Sequence, residues 1–194
     1  MQRRVRVLAE IMARLLPRDV EVLDVGCGDG QLGRAVMDLR PDVHVRGIDV
    51  MLRSKTAIAV ELFDGERIPL PDGGVAAVMM VDVVHHARRP AALVIEAARV
   101  SAQALIIKDH LRNGFLAAAT LRAMDWVGNA PHGVVLPYNY LARTEWDEAF
   151  TAAGLSVDRW EPELGLYKRP MSYVFERGLH FAARLVPSSQ PLLR

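Results

Sequence analysis

The sequence predicts an α/β fold built on a doubly wound, mostly parallel sheet, and three observations carry that prediction. Short apolar strands alternate with segments of helical period along most of the chain. The first strand runs directly into a glycine-rich turn and then a helix. The chain has 194 residues, 51% of them hydrophobic, which is enough for one substantial core and short for two. A single domain over residues 1–194 is therefore expected.

Val5, Leu8, Ile11, Met12, Leu15 and Leu16 recur at helical spacing between arginines until Pro17, so residues 1–18 should open the chain as an amphipathic helix. Glu21 to Val25 reads as the first strand, and Leu32, Ala35, Val36 and Leu39 resume a helical period after Gly30. Further strands are expected over Val43 to Val50, near Ile58 to Phe63, over Val75 to Val81 and over Ala104 to Ile107, with a helix near Pro90 to Arg99. The stretch MLRSKTA between the second and third strands is too short for a full crossover helix, so one turn or a loop is expected there. Leu111 to Val127 reads as a long helix. Thr144 to Ala153 reads as another, with Thr144 a candidate cap and Gly154 its stop. Leu155 to Trp160 and Ser172 to Glu176 complete seven strands, and the tail from Gly178 to Arg194 mixes apolar and turn-forming residues. The domain thus divides into a cofactor-binding half at 20–110, acceptor-side helices at 111–170, and a last strand with tail at 171–194.

A formal charge of +1 with acids and bases intermixed gives no large basic field, so nucleic acid is an unlikely partner. The single cysteine, Cys27, excludes an internal disulfide, and arginines interrupt what would be a signal-peptide core, so a reducing, cytoplasmic setting is expected. No apolar run approaches the roughly 20 residues needed to cross a bilayer, so no transmembrane segment is expected.

The strongest feature is VLDVGCGDG, Val22 to Gly30, set where an apolar strand meets a helix. Glycines there remove side chains, so backbone can approach a ligand closely. Gly28, Gly30 and Gly33 also make a formal G-x-G-x-x-G, which keeps a dinucleotide site as an alternative. Three more motifs follow: GIDV at Gly47 to Val50, FDGERIPLPDG at Phe63 to Gly73, and MVDVVHH at Met80 to His86. In this order they resemble the class I S-adenosylmethionine-dependent methyltransferases, particularly the small type-11-like members, over roughly Val20 to Ile107. Two departures occur: Val75 and Ala76 replace the usual Phe-Asp before the fourth strand, and Ser101 to Gln103 replace Pro-Gly-Gly before the fifth.

The resemblance implies a Rossmann-like sheet of seven strands with the last antiparallel, and S-adenosylmethionine as methyl donor, leaving S-adenosylhomocysteine. It implies that Gly26, Cys27, Gly28 and Gly30 form the cofactor loop and that Asp24 orients that loop or the methionine ammonium. Asp49 would accept hydrogen bonds from both ribose hydroxyls, a task suited to a carboxylate. Asp64 would meet the adenine amino group, Gly65 would offer backbone to the ring, and Phe63 or Val50 would supply apolar contact. Backbone near Val81 would face the methionine end.

Methyl transfer from a sulfonium is an in-line displacement, so the protein chiefly aligns nucleophile and methyl and excludes water. Where a base is needed, histidine is the usual choice. Crevices in open α/β sheets lie beyond the carboxyl ends of strands, which singles out His85, His86, Lys108, Asp109 and His110. His110 is the first candidate base, with Asp109 orienting it or holding a cationic acceptor, and His86 lining the acceptor site. The segment Met124 to Leu141 carries Trp126, Asn129, His132, Tyr138, Asn139 and Tyr140 among glycines and prolines, and is expected to form a substrate lid or a packing plug. Tyr167, Lys168 and Arg169 would complete its rim. No metal site follows from these spacings.

The expected function is methyl transfer to an oxygen or nitrogen nucleophile of a small molecule. The alternatives are an RNA or protein methyltransferase, for which arginines 3, 4, 6, 14 and 18 are the one candidate surface, and a cofactor-binding partner subunit without catalysis. Apolar residues at helical spacing in the first helix and in FAARLVPSSQPLLR also suggest a homodimer or a weak membrane-surface contact.

Overall fold

The computed structural model describes residues 3–129 and 137–188. In chain order the elements are α1 (Arg3–Leu15), β1 (Val20–Val25), α2 (Gln31–Leu39), β2 (Val43–Asp49), β3 (Val60–Leu62) and β4 (Val75–Val81). A 3-10 turn at Val84–His86 leads to α3 (Pro90–Val100), β5 (Ser101–His110), α4 (Ala117–Asn129) and α5 (Arg143–Ala152). The chain then forms β6 (Leu155–Glu161), α6 (Ser172–Phe175) and β7 (His180–Pro187).

The strands make one seven-stranded sheet in the order β3-β2-β1-β4-β5-β7-β6, parallel except for β7, which runs antiparallel to both its neighbours. Side chains alternate across the sheet with the period of two that strands impose. Leu23, Val25, Leu105 and Ile107 enter one core with Val94 of α3 and Trp146 of α5. Val20, Val22, Ala104 and Ile106 enter a second core with Leu8 and Met12 of α1 and Val36 of α2. The same alternation divides the end of β5, sending Lys108 toward α1 and Asp109 toward the Val84–His86 turn.

The connection between β2 and β3 carries no helix, as expected. Three expectations are corrected. Ser172 to Glu176 is not a strand; the short α6 lies there, and the seventh strand is β7, inside the stretch read as tail. The long helix begins at Ala117 rather than Leu111, because β5 extends to His110 and a turn at 114–116 intervenes. Thr144 is not the cap of α5: the helix starts one residue earlier, and Glu145 reaches back to accept from the Ala142 amide at 2.7 Å. The apolar residues offered as a dimer or membrane face are also placed elsewhere. Leu8, Ile11, Met12 and Leu15 of α1 are core, as are Phe181, Ala182, Ala183 and Leu185 of β7. No helix among the described residues is long and apolar enough to cross a membrane.

Candidate active site

The glycine loop leaves β1 at the sheet's carboxyl edge, between β2 and β4. Gly26, Gly28 and Gly30 all have positive φ, of 72°, 60° and 75°, a region L side chains rarely adopt. A Cβ on Gly26 would also lie 2.6 Å from the Val83 side chain, whereas one on Gly28 would enter open space. The Gly26 amide donates to the Ile48 carbonyl at 2.7 Å, so the end of β2 fixes the loop. Asp49 fixes it further: its carboxylate accepts from the Gly28 amide at 2.8 Å and from the Met51 amide at 2.9 Å.

Asp24 lies beneath this loop, 2% exposed, and its Oδ2 has no hydrogen-bond partner. Burial, with Asp49 nearby, pushes its carboxyl up to about 8. Burial and the same two carboxylates push the Cys27 thiol up to about 12, which makes it a poor nucleophile. An unpartnered buried carboxyl below an open glycine loop can accept hydrogen bonds from a cationic amine, and a methionine ammonium is such a group. At the far end Val50 is exposed, and a Cβ on Gly65 would lie 3.1 Å from its side chain, so the two form one wall with the half-buried Phe63 close in sequence. Asp64 spends Oδ1 on the Glu66 and Arg67 amides, at 2.8 and 2.7 Å, and those bonds lower its pKa.

Beyond Val81, which is half-buried, the chain enters a dense polar cluster. Asp82, with φ 58°, binds the Lys108 ammonium through Oδ1 and the Arg4 guanidinium through Oδ2, the latter at 2.6 Å. Arg4 also donates to the Tyr167 hydroxyl at 3.2 Å, tying α1 to the loop before α6. Lys108 is fully buried and lies 3.5 Å from His180 Nδ1. His180 Nε2 sits 2.9 Å from the Phe175 carbonyl and so must donate there, leaving Nδ1 as an acceptor. Burial and the Lys108 charge push the His180 imidazole down to about 2.

Asp109, fully buried, accepts from the Val84 amide at 2.9 Å and the His110 amide at 2.7 Å, and its Oδ1 lies 2.5 Å from His85 Nδ1. On its other side His85 Nε2 is 3.4 Å from Asp125. Burial alone would lower the His85 pKa, but Asp109 and Asp125 outweigh it and raise it to about 10. His85 is thus an imidazolium at neutral pH. Burial opposes ionisation of Asp109 as well, yet the His85 charge holds its carboxyl well below the usual range.

His110, 4% exposed, turns Nδ1 toward His85 at 3.3 Å, Asp109 at 3.5 Å and Asp82 at 3.8 Å. Burial lowers its pKa, so the ring is neutral. Nε2 makes no hydrogen bond among the described residues. His86 is half-buried against His85, with ring centroids 4.0 Å apart, and burial plus the His85 charge lower its pKa too.

Tyr140 is buried, donates its hydroxyl to Asp125, and packs against both His85 and His110. Asn139 donates its backbone amide to the His85 carbonyl at 3.2 Å and its side-chain amide to the Ala87 carbonyl at 2.9 Å. The described end of the 124–141 segment therefore caps the histidine pair. Tyr138 is half-buried with Arg122 over its ring, whereas Trp126 is 63% exposed. His132 lies outside the described residues, as does the side chain of Asn129. Two donor sets have metal-ligand spacing, with atoms within 4.8 Å of one another: His85, His110 and Asp125, and Asp82, Asp109 and His110. In the second, the Lys108 ammonium already occupies Asp82.

Asp82, Asp125 and His180 lie outside the site residues expected from the sequence, and Arg4 is expected only in an arginine surface for RNA or protein. Asp125 had a signal: Ala117, Leu121 and Asp125, four residues apart, form the buried stripe of α4.

A glycine loop over an unpartnered buried carboxyl, next to a buried histidine cluster, can seat a cationic amino-acid head group beside a candidate base. The sequence matches the methyltransferase-domain family over residues 1–159. The chain belongs to that family. Its donor is accordingly S-adenosylmethionine, and β7, with His180, lies beyond the matched stretch. No curated protein matches the methyltransferase by sequence. Among solved structures it is similar to a chain in the complex between the Haloferax volcanii Trm112 methyltransferase activator and a methyltransferase, with TM-score 0.71 and 16% identity over 95% of this chain and 91% of that one. An S-adenosylmethionine-dependent methyltransferase from Mesorhizobium loti gives TM-score 0.65 at 15% identity, over 92% of this chain and 97% of that one. The Streptomyces coelicolor geranyl diphosphate C-methyltransferase gives 0.67 at 12%, over 92% of this chain and 77% of that one. At these identities the likeness is one of fold.

Proposed function

We propose that this methyltransferase transfers the methyl group to an oxygen or nitrogen of a small molecule, with His110 as the base. The observation that carries the reading is a neutral imidazole, shut from bulk water, held beside a fixed imidazolium at the end of β5. The acceptor attacks the methyl carbon in line with the C–S bond. That bond's electron pair stays on sulfur, giving S-adenosylhomocysteine, and Nε2 of His110 takes the acceptor's proton. Asp109 is enclosed and faces His85, so its part is positioning: it fixes the His85 ring, against which His110 packs. Tyr138, Tyr140 and His86 shape the acceptor pocket. Asp49 serves the ribose from a carboxylate already pinned by two amides.

Calorimetric titration with S-adenosylhomocysteine tests the donor half. Asp49→Ala should weaken binding at least tenfold, about 1.4 kcal/mol; an unchanged affinity would remove the ribose assignment. A screen of phenol, alcohol and amine acceptors tests the other half, where His110→Gln should cut kcat by 100-fold or more while leaving donor binding intact.

One observation favours a second reading, a methyltransferase that works with a protein partner. The short edge strand β3 and the helix-free link before it leave Val50, Leu52 and Leu62 exposed. The Haloferax similarity is to a complex with an activator. Failure of the purified, folded chain to bind donor would turn the assignment that way.

A further inference from the structure

A cavity lies away from the methyl-transfer site, near the amino-terminal end of β1 and β2, where α1 ends against the sheet. Its volume is about 600 Å3, within the range of small-ligand sites. Five arginines from distant parts of the chain line it: Arg14, Arg18, Arg40, Arg159 and Arg184. Arg40 is a fixed pillar, donating to the carbonyls of Ala13 at 2.6 Å and Pro17 at 2.8 Å and pairing with Asp42. Arg14 pairs with Glu161 at 2.8 Å.

Of the other three, two have no carboxylate partner among the described residues and Arg184 has one imperfectly aligned. Arg18 and Arg159 have no carboxylate within 4.0 Å among the described residues. Arg184 Nε lies 3.3 Å from Asp158 Oδ2 but without hydrogen-bond alignment, and that nitrogen is buried with no partner. Arg159 and Arg184 are moreover direct cross-strand neighbours, at a register shift between Val157 and Arg159. Like charges directly opposite each other in an antiparallel pair are destabilising. An irregularity of this kind re-aims side chains and is over-represented beside functional sites. The guanidiniums of Arg159, Arg184 and Arg18 border one cavity, an arrangement suited to an anion with several oxygens.

We propose that this cavity binds a phosphate-bearing small molecule, with Arg159, Arg184 and Arg18 forming the fork that grips it. Guanidinium pairs phosphate through parallel N–H bonds, which explains arginine rather than lysine at every position. The site is independent of the donor site and of the reading given to the histidine cluster. Without ligand the two like charges oppose each other across the strands, and a shared anion would offset that repulsion.

The test uses the full chain and inorganic pyrophosphate. Calorimetry should give one saturable site, weakened at least tenfold by Arg159→Gln and by Arg184→Gln, with S-adenosylhomocysteine binding unchanged in both. Thermal unfolding separates this from a structural role: Arg159→Gln should raise Tm without ligand and lose the Tm gain that pyrophosphate gives the parent protein. Absence of saturable binding overturns the proposal, as does binding that survives both substitutions. Binding of single-stranded RNA without pyrophosphate binding would also overturn it, assigning the arginines to a nucleic-acid surface.

Discussion

Asp24 and His85 are two buried ionisable groups held in opposite states by their surroundings. Among the described residues Asp24 has only Asp49 acting on it as a charged neighbour and stays protonated up to about pH 8, whereas His85 has two carboxylates and stays charged up to about pH 10. An ammonium placed beside Asp24 reverses the balance and expels its proton. Donor binding at pH 7 should therefore release up to one proton, read as a dependence of the calorimetric enthalpy on buffer ionisation heat, and Asp24→Asn should abolish that dependence. The pH profile follows from His110: because its pKa is lowered, kcat/KM should rise through a pKa below 6.5 and be flat at neutral pH. A rising limb centred above pH 7 would exclude it as the base.

At the scale of elements, the glycine loop and the Val84–His86 turn meet through Val83, whose side chain fills the space under Gly26. Gly26→Ala should disturb both and cost at least tenfold in donor affinity. Asp109→Asn leaves the His85 charge with one carboxylate fewer in a buried setting. Such losses cost about 3 kcal/mol or more, a Tm drop of roughly 6–12 °C for a chain of this size. Much of this was legible. The strand–glycine–helix junction and the run of β4 follow from apolar period and turn chemistry, and Asp24, Asp49 and His110 sit where strand ends must place them. The acceptor side was less so. Trp126 reads as a ligand-facing aromatic yet is exposed, whereas Asp125 is buried by a four-residue helical stripe in which an acid is unusual. The strand β7 was hidden because Ala182 and Ala183 carry little strand preference, and only pairing with β5 and β6 on both sides makes them one.

At the scale of the whole molecule, stability should fall as the solution becomes alkaline. His85, raised above its unfolded value near 6.5, contributes stability that is complete below that pH and lost as the pH rises through about 10. Asp24, protonated in the fold and ionised in the unfolded chain, costs increasing stability from about pH 4 to about pH 8. Each acts with a slope of up to about 1.4 kcal/mol per pH unit, so Tm should decline from pH 7 to pH 10. His85→Gln should flatten that decline while lowering Tm at pH 7. A Tm rising over this range would mean that neither group has the state assigned to it.

The contacts of α1 set an order on how the chain can come into being. Arg3 donates to the Leu166 carbonyl, Arg4 reaches Tyr167, and Leu8 and Met12 share a core with Ala182. Helix α1 thus waits on partners made more than 150 residues later. Synthesis from one end cannot complete this molecule progressively. β5 stays an open edge until β7 arrives between it and β6, and the same late arrival brings His180 to Lys108. The Lys108 side of the polar cluster therefore closes only with β7, and a chain truncated before it lacks His180 and leaves β5 an open edge.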